Sequence, residues 1–198
     1  MIDLKNLNIV LTGATGVIGN SILDKLITAG SNVLATGTNE EKLKIIQDKY
    51  EDLNVVKFDI SNHGKIDQFV EDCSKSFSKK IDVLINNAAL NDSLEKNPSV
   101  KLSKFENFPE NFWNESIKIN LNSLFLCSQI FGKEMIKYNN GSIINIASTY
   151  GMVGPDQKIY QNKKLKNIFY KNPAYPTAKG GVISFTKYLA SYWGKNGI

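Results

Sequence analysis

Residues 8–19, NIVLTGATGVIG, run from a β-branched apolar stretch straight into three glycines and then into an apolar helical pattern. Few folds use that order. A buried strand that turns sharply into a helix needs residues that tolerate unusual backbone angles and close approach. Gly13 suits the tight turn, Gly16 lets a backbone come near a pyrophosphate, and Gly19 lets the helix pack close on the sheet. The helix N-terminus then offers N–H groups and partial positive charge to a phosphate. A packing turn alone would not need three glycines, and strand–turn–helix is the context a dinucleotide site requires.

The rest of the chain repeats this alternation. Short apolar runs predict strands over 8–13, 32–37, 54–59, 81–89 and 141–148, and helical spacing predicts helices over 17–29, 39–50, 64–78, 109–138 and 173–194. Asn39 is placed to cap the second helix ahead of Glu40 and Glu41. Strands and helices in this order form right-handed βαβ units. The expected fold is therefore α/β: a Rossmann-type, doubly wound parallel sheet in three α/β/α layers, one domain over 1–198. Two connections, 90–108 and 149–172, are long and follow the carboxyl ends of strands. Open parallel sheets bind ligands on that edge, so both are expected to contact or cover a substrate.

Composition narrows the partners. The 198 residues are 42% hydrophobic and 22% charged, with no apolar run of membrane-spanning length and no signal pattern in the first residues. The expectation is a cytoplasmic protein without a membrane partner. The net charge of +5 is carried by lysine, with no arginine anywhere. Nucleic-acid readers rely on arginine for bidentate contacts, so no nucleic-acid partner is expected. His63 is the single histidine, read as a surface or helix-start residue, which leaves no histidine metal site or Ser-His-Asp triad to build. Cys73 and Cys127 have neither metal nor redox spacing and are expected as reduced thiols in or near the core, with no metal bound.

The second strand ends in ATGTNEE, with Gly37 and Thr38 where an NAD-preferring site would carry an acid. Thr36, Thr38 and Asn39 have groups that can donate to a 2′-phosphate. NADP is therefore modestly preferred over NAD. Asp59 is placed to meet the adenine side, or alternatively to cap a helix.

Tyrosine precedes lysine by four residues twice, at Tyr160 and Lys164 and at Tyr175 and Lys179. A free tyrosine titrates near ~10, and an ammonium one helical turn away favours its phenolate. Spacing does not choose between the pairs. Tyr175 opens a helix whose Val182, Ile183, Phe185, Leu189 and Trp193 can pin it to the sheet, whereas Tyr160 lies in a lysine- and asparagine-rich stretch. Gly180 and Gly181 after Lys179 would let that helix lie close to a neighbour, consistent with a dimer face. Tyr175 is the expected acid/base.

In order along the chain, TGATGVIG (12–19), Asp59 in FDIS, NNAA (86–89), Asn120 in IKIN, Ser148 in NIAS and YPTAK (175–179) resemble the short-chain dehydrogenase/reductase family, over essentially the whole length. The resemblance implies an NAD(P)-dependent oxidoreductase that interconverts an alcohol and a carbonyl by hydride transfer. It implies Tyr175 as acid/base and Lys179 holding the nicotinamide ribose and lowering the tyrosine pKa. Ser148 would hold the substrate oxygen, and Asn120 a water that relays protons. The cofactor would meet Thr12, Gly13, Thr15, Gly16, Val17, Ile18, Gly19, Thr38, Asp59, Ile60, Asn87, Ala88 and Ala89, together with Tyr175 and Lys179. It further implies a homodimer or homotetramer joined through helices 109–138 and 173–194, and a family pattern that continues beyond Ile198 into a sixth strand, a Pro-Gly turn and a seventh strand. The interval 149–172 reads as an insertion. Its part KIYQNKKLKNIFYK (158–171) has five lysines and no acid, and is either a solvated loop or an electropositive rim for an anionic small-molecule substrate. The Gly16–Val17 spacing also resembles the branch that modifies nucleotide sugars, so an epimerase or dehydratase is the alternative enzyme. A catalytically silent NAD(P)-binding regulator is the alternative outside enzymes, and the presence of all four catalytic residues argues against it.

Overall fold

The computed structural model describes residues 4–50, 52–77, 80–90, 100–161 and 169–198. Five strands form one sheet in the order β3-β2-β1-β4-β5: β1 Asn8–Leu11, β2 Asn32–Gly37, β3 Asn54–Lys57, β4 Val83–Asn86 and β5 Ser142–Asn145. Every pairing is parallel, with Val10 opposite Leu34 on one side and Leu84 on the other. Alternate side chains leave a strand on opposite faces. Ile9, Leu11, Val33 and Ala35 meet Leu23 and Leu26 of α1 (Val17–Thr28) and Leu43 and Ile46 of α2 (Glu40–Lys49). Val10, Leu34 and Leu84 meet Phe69, Val70 and Cys73 of α3 (Ile66–Phe77) and Cys127, Phe131 and Met135 of α6 (Ser123–Ile136). The three-layer Rossmann arrangement follows from these two apolar faces. Each large buried side chain contributes about 1.5–3 kcal/mol.

The chain divides into two compact units. One comprises Met1–Ala88, Ser123–Ile146 and Tyr188–Ile198 and holds the sheet; the other comprises Ala89–Asn122 and Ala147–Lys187. The second holds α4 (Val100–Ser103), α5 (Glu110–Ile117), short 3-10 turns and the start of α7 (Ala174–Trp193).

All five expected strands form, but four are shorter than expected. The chain leaves the ladder soon after the last pair, with Thr12 N–H still donating to Ile85 at 3.0 Å and Phe58 N–H to Gly37 at 3.0 Å. The expected continuous helix over 109–138 is interrupted. A π turn, Lys118–Asn122, separates α5 from α6 and carries the buried Asn120. A π turn takes an extra residue into the helical repeat, which re-aims the side chains it carries. Asn39 caps α2 as expected, its Oδ1 accepting from Lys42 N–H at 2.9 Å. His63 lies in the 3-10 turn that leads into α3, its Nε2 3.2 Å from Ser123 Oγ. Cys73 and Cys127 are free and buried, and burial raises both thiol pKa values. No described helix is long and apolar enough to cross a membrane.

Candidate active site and cofactor turn

The glycine turn is held from behind by one threonine. Thr12 Oγ1 donates to the Ile85 carbonyl at 3.3 Å and accepts from the N–H groups of Asn87 and Ala88, both at 3.1 Å. Asn87 Nδ2 donates to the carbonyls of Thr12 and Gly13, each at 3.0 Å. Gly13 has φ +67°, and a Cβ there would lie 2.7 Å from Ala88 Cα, so both its conformation and its neighbour demand glycine. A Cβ on Gly19 would fall on the Gly13 carbonyl and 2.8 Å from Asn87 Nδ2.

Gly16 is different. A Cβ there would meet only Gly13 O, at 3.4 Å, and its φ of −77° suits any residue. Nothing among the described residues requires this glycine. It is the N-cap of α1, no side chain caps that end, and the first turn has no acid. Val17 and Ile18 beside it are 90% and 60% exposed. An uncapped helix start, a smooth glycine edge and two uncovered apolar side chains fit a bound dinucleotide phosphate.

Toward the ribose end, Gly37 packs against Thr15, whose Oγ1 would be 2.9 Å from an added Cβ, and Ala14 N–H donates to the Thr36 carbonyl at 2.9 Å. Thr38 is exposed. Thr36, expected among the donors to a 2′-phosphate, is fully buried, and its Oγ1 has no hydrogen-bond partner among the described residues. Both faces of β2 are covered, which buries Thr36 as it buries Ala35, so that expectation is corrected. Asp59 lies beyond β3, and its Oδ1 accepts from Ser61 N–H at 2.8 Å. It closes its own turn and caps no helix, while remaining exposed. Ile60 is buried in the core, so only its backbone can face a ligand. Ala89 is exposed.

The four expected catalytic residues, Asn120, Ser148, Tyr175 and Lys179, all lie in the second unit. Tyr175 stands in the first turn of α7, where Asn172 Oδ1 accepts its N–H at 3.0 Å. Lys179 is 3% exposed, one turn on, with Nζ 5.8 Å from the Tyr175 ring centre. Burial lowers its pKa to about 8. Ser148 starts a 3-10 turn, Thr149–Gly151, and its Oγ accepts from Tyr150 N–H at 3.2 Å, which leaves the hydroxyl hydrogen to donate. That turn lies against α7: a Cβ on Gly151 would come within 2.6 Å of the Lys179 carbonyl. Gly181 faces Leu121 of the same chain, 3.0 Å from an added Cβ. Gly181 therefore has a packing role within the chain. Asn120 is used as a strut. Its Oδ1 accepts from Leu90 N–H at 2.9 Å, and its Nδ2 donates to the Leu90 carbonyl at 3.0 Å and to Ser116 Oγ at 3.1 Å.

A family model described as short chain dehydrogenase matches residues 7–198. This chain belongs to the short-chain dehydrogenase family. Among its curated relatives, the 3-oxoacyl-(acyl-carrier-protein) reductase FabG of Aquifex aeolicus is 33% identical over 91% of this chain and 65% of its own length. The 2-dehydro-3-deoxy-D-gluconate 5-dehydrogenase of Bacillus subtilis is 29% identical over 99% of this chain and 68% of its own length. The crystal structure of gox2181 shares the fold with a TM-score of 0.83 at 24% identity, covering 98% of this chain and 69% of that one. The chain thus spans about two thirds of the length of these relatives.

Around the family's tyrosine and lysine, this short-chain dehydrogenase carries groups that sequence reasoning missed. Tyr160, expected in an irregular loop, lies in a 3-10 turn, Gln157–Gln161; its hydroxyl is 2.6 Å from that of Tyr150 and its ring packs on Phe169. Lys164, its expected partner, lies outside the described residues, as do Lys163 and Lys166 of the lysine run. Lys171 belongs to that run but is 6% exposed, so at this position the run is not a solvated rim. In the unit that holds the sheet, Asn86, given no role beyond the NNAA motif, donates to Ser128 Oγ at 3.1 Å and to Asn145 Oδ1 at 2.9 Å. The signal for Asn86 was the adjacent asparagine pair itself, since buried amides persist only where partners satisfy them.

Proposed function

We propose that the protein is an NAD(P)-dependent oxidoreductase that interconverts an alcohol and a carbonyl. The observation that carries this reading is the catalytic helix: Tyr175 and the buried Lys179 share its first turns, and the turn after Ser148 packs against it. The nicotinamide, when bound, supplies or accepts the hydride. The chain moves the proton. In reduction, the Tyr175 hydroxyl donates its proton to the carbonyl oxygen while the Ser148 hydroxyl donates a hydrogen bond to the same oxygen. In oxidation, the Tyr175 phenolate takes the alcohol proton. The Lys179 ammonium favours that phenolate, and Asn120, whose two amide N–H groups are taken by Leu90 and Ser116, holds a proton-relaying water only by accepting from it through an oxygen.

NADP is the preferred cofactor in this reading. The end of β2 carries no acid at Gly37 and Thr38, and Lys57, opposite Gly37 in the ladder, brings an ammonium to that edge, where it pairs with Glu40 at 2.7 Å. The substrate is a small molecule, and an anionic one remains part of the proposal because of the lysine run. Helices α6 and α7 carry exposed aromatic residues, Phe125, Tyr188 and Tyr192, which support a homodimer or homotetramer through these elements. A cytoplasmic location accords with two free thiols.

The test uses the full-length protein and a panel of small alcohols and carbonyls. Tyr175→Phe is expected to lose about 10²–10⁴-fold in turnover and to keep cofactor affinity by fluorescence titration. Tyr160→Phe is expected to keep most activity. An active Tyr175→Phe beside a dead Tyr160→Phe overturns the assignment. Rearrangement of a nucleotide sugar without net oxidation or reduction would instead establish the epimerase reading.

A further inference from the structure

We propose that Lys171 is a second ammonium partner of the Tyr175 phenol, set in place by Gln157, and so a positioning residue for proton transfer. This rests on Tyr175 being the acid/base. Lys171 Nζ lies 5.1 Å from the Tyr175 ring centre, against 5.8 Å for Lys179, and 6.0 Å from that of Tyr160. The ammonium is therefore at least as near the Tyr175 ring as the lysine of the Tyr-x-x-x-Lys motif.

Its position is built. Gln157 Oε1 accepts from Lys171 N–H at 2.8 Å, and Gln157 Nε2 donates to the Lys171 carbonyl at 3.1 Å, so one side-chain amide grips both polar groups of that residue's backbone. On either side, Tyr170 N–H donates to Ser103 Oγ at 3.0 Å, and Asn172 Oδ1 caps the N–H of Tyr175. Residues 170–175 thus carry three side-chain anchors. Lys171 also lines a cleft of about 400 Å³ with Ser103, Tyr170, Asn172 and Pro176.

A cation over an aromatic face is attracted by the ring quadrupole of a neutral phenol, and more strongly by the net charge of a phenolate. Among the described residues, the other titratable groups around Tyr175 are Lys179 on its own helix and Tyr150 and Tyr160 from the 149–161 segment. Lys104 and Glu106 stand across the cleft, and exposed Asp156 caps Lys158 N–H at 2.9 Å. Among the described residues, Lys171 and Lys179 are the cations over the Tyr175 ring.

The test reads the phenol directly and needs no substrate. Protein labelled at the tyrosine Cζ is titrated by nuclear magnetic resonance, and the Tyr175 signal is assigned by its loss in Tyr175→Phe. Removing a unit charge at this distance from a half-exposed ring is expected to move the ionisation midpoint of Tyr175 up by about one pH unit in Lys171→Met. Lys171→Arg should stay near the parent, and Gln157→Ala should move the midpoint the same way by less. A midpoint unmoved in Lys171→Met overturns the proposal. If Lys171→Met does not fold, an unmoved midpoint in Gln157→Ala does so. A purely structural lysine would lower the melting temperature without moving the midpoint. Failure of the functional reading is distinct, since an active Tyr175→Phe would leave these midpoints as they are.

Discussion

In residues 12–19 the fit is between backbones. Gly13 is glycine because Ala88 lies against it and its φ is positive, and Gly19 because the Gly13 carbonyl occupies the space of a side chain. In residues 148–179 the fit is between side chains and distant backbone: Gln157 on Lys171, Ser103 on Tyr170, Asn172 on Tyr175. Gly13 and Gly19 have almost no freedom to vary, because a missing Cβ cannot be replaced by another contact. The second region can be rebuilt from other residues, provided the phenol and the two ammonium groups end in the same places. It also pays in stability for its chemistry, since Lys179 is buried with its charge disfavoured.

The sharpest way to break this contrast lies within the glycine turn itself. Gly19→Ala drives a methyl into the Gly13 carbonyl and is expected to destabilise the protein by several kcal/mol, on the order of a strained overpacked site or more. Gly16→Val meets no such obstacle. It is expected to leave the melting temperature nearly unchanged and to abolish NADP(H) binding, because the branched side chain stands where the pyrophosphate passes. A Gly16→Val protein with undiminished affinity in a fluorescence titration would remove the dinucleotide site from this turn.

A smaller effect is expected in the catalytic region, with the opposite sign. Lys179→Met removes a buried charge and should raise stability at pH 7, by at most about 3 kcal/mol, while abolishing turnover. The folded parent releases the Lys179 proton at about 8, and the unfolded chain near 10.5. The unfolded state therefore holds more protons across that window, and the parent gains stability as pH rises through it. The advantage of the variant should shrink from pH 8 upward, as read by denaturant melts of both proteins. An advantage independent of pH would assign the burial cost to something other than this ammonium.

The mildest change concerns the ribose end. Thr38 is exposed, so Thr38→Asp should leave the fold intact while its carboxylate repels a 2′-phosphate. The expected outcome is about a tenfold shift of the affinity ratio toward NAD(H), roughly 1.4 kcal/mol. An unchanged ratio would mean that Gly37 and Thr38 do not set the preference.

What the sequence by itself determined is local or periodic. The five strands, the glycine turn, the Asn39 cap and the two buried thiols follow from alternation, from glycine's backbone freedom and from a side chain reaching its own neighbours. Tyr175 could be preferred over Tyr160 because an amphipathic helix is a visible mount. Tertiary structure decided the rest. Nothing local buries Thr36, interrupts the helix at Lys118–Asn122, or commits the amide of Asn120 to Leu90, thirty positions away. Nor does the lysine run show that Lys171, unlike the exposed Lys158, is folded over the rings of Tyr160 and Tyr175. A charge in a polar stretch reads as solvated until a distant side chain, here Gln157, holds its backbone against the site. Such long-range pairings depend on which residues the whole fold brings together, and spacing along the chain does not encode them.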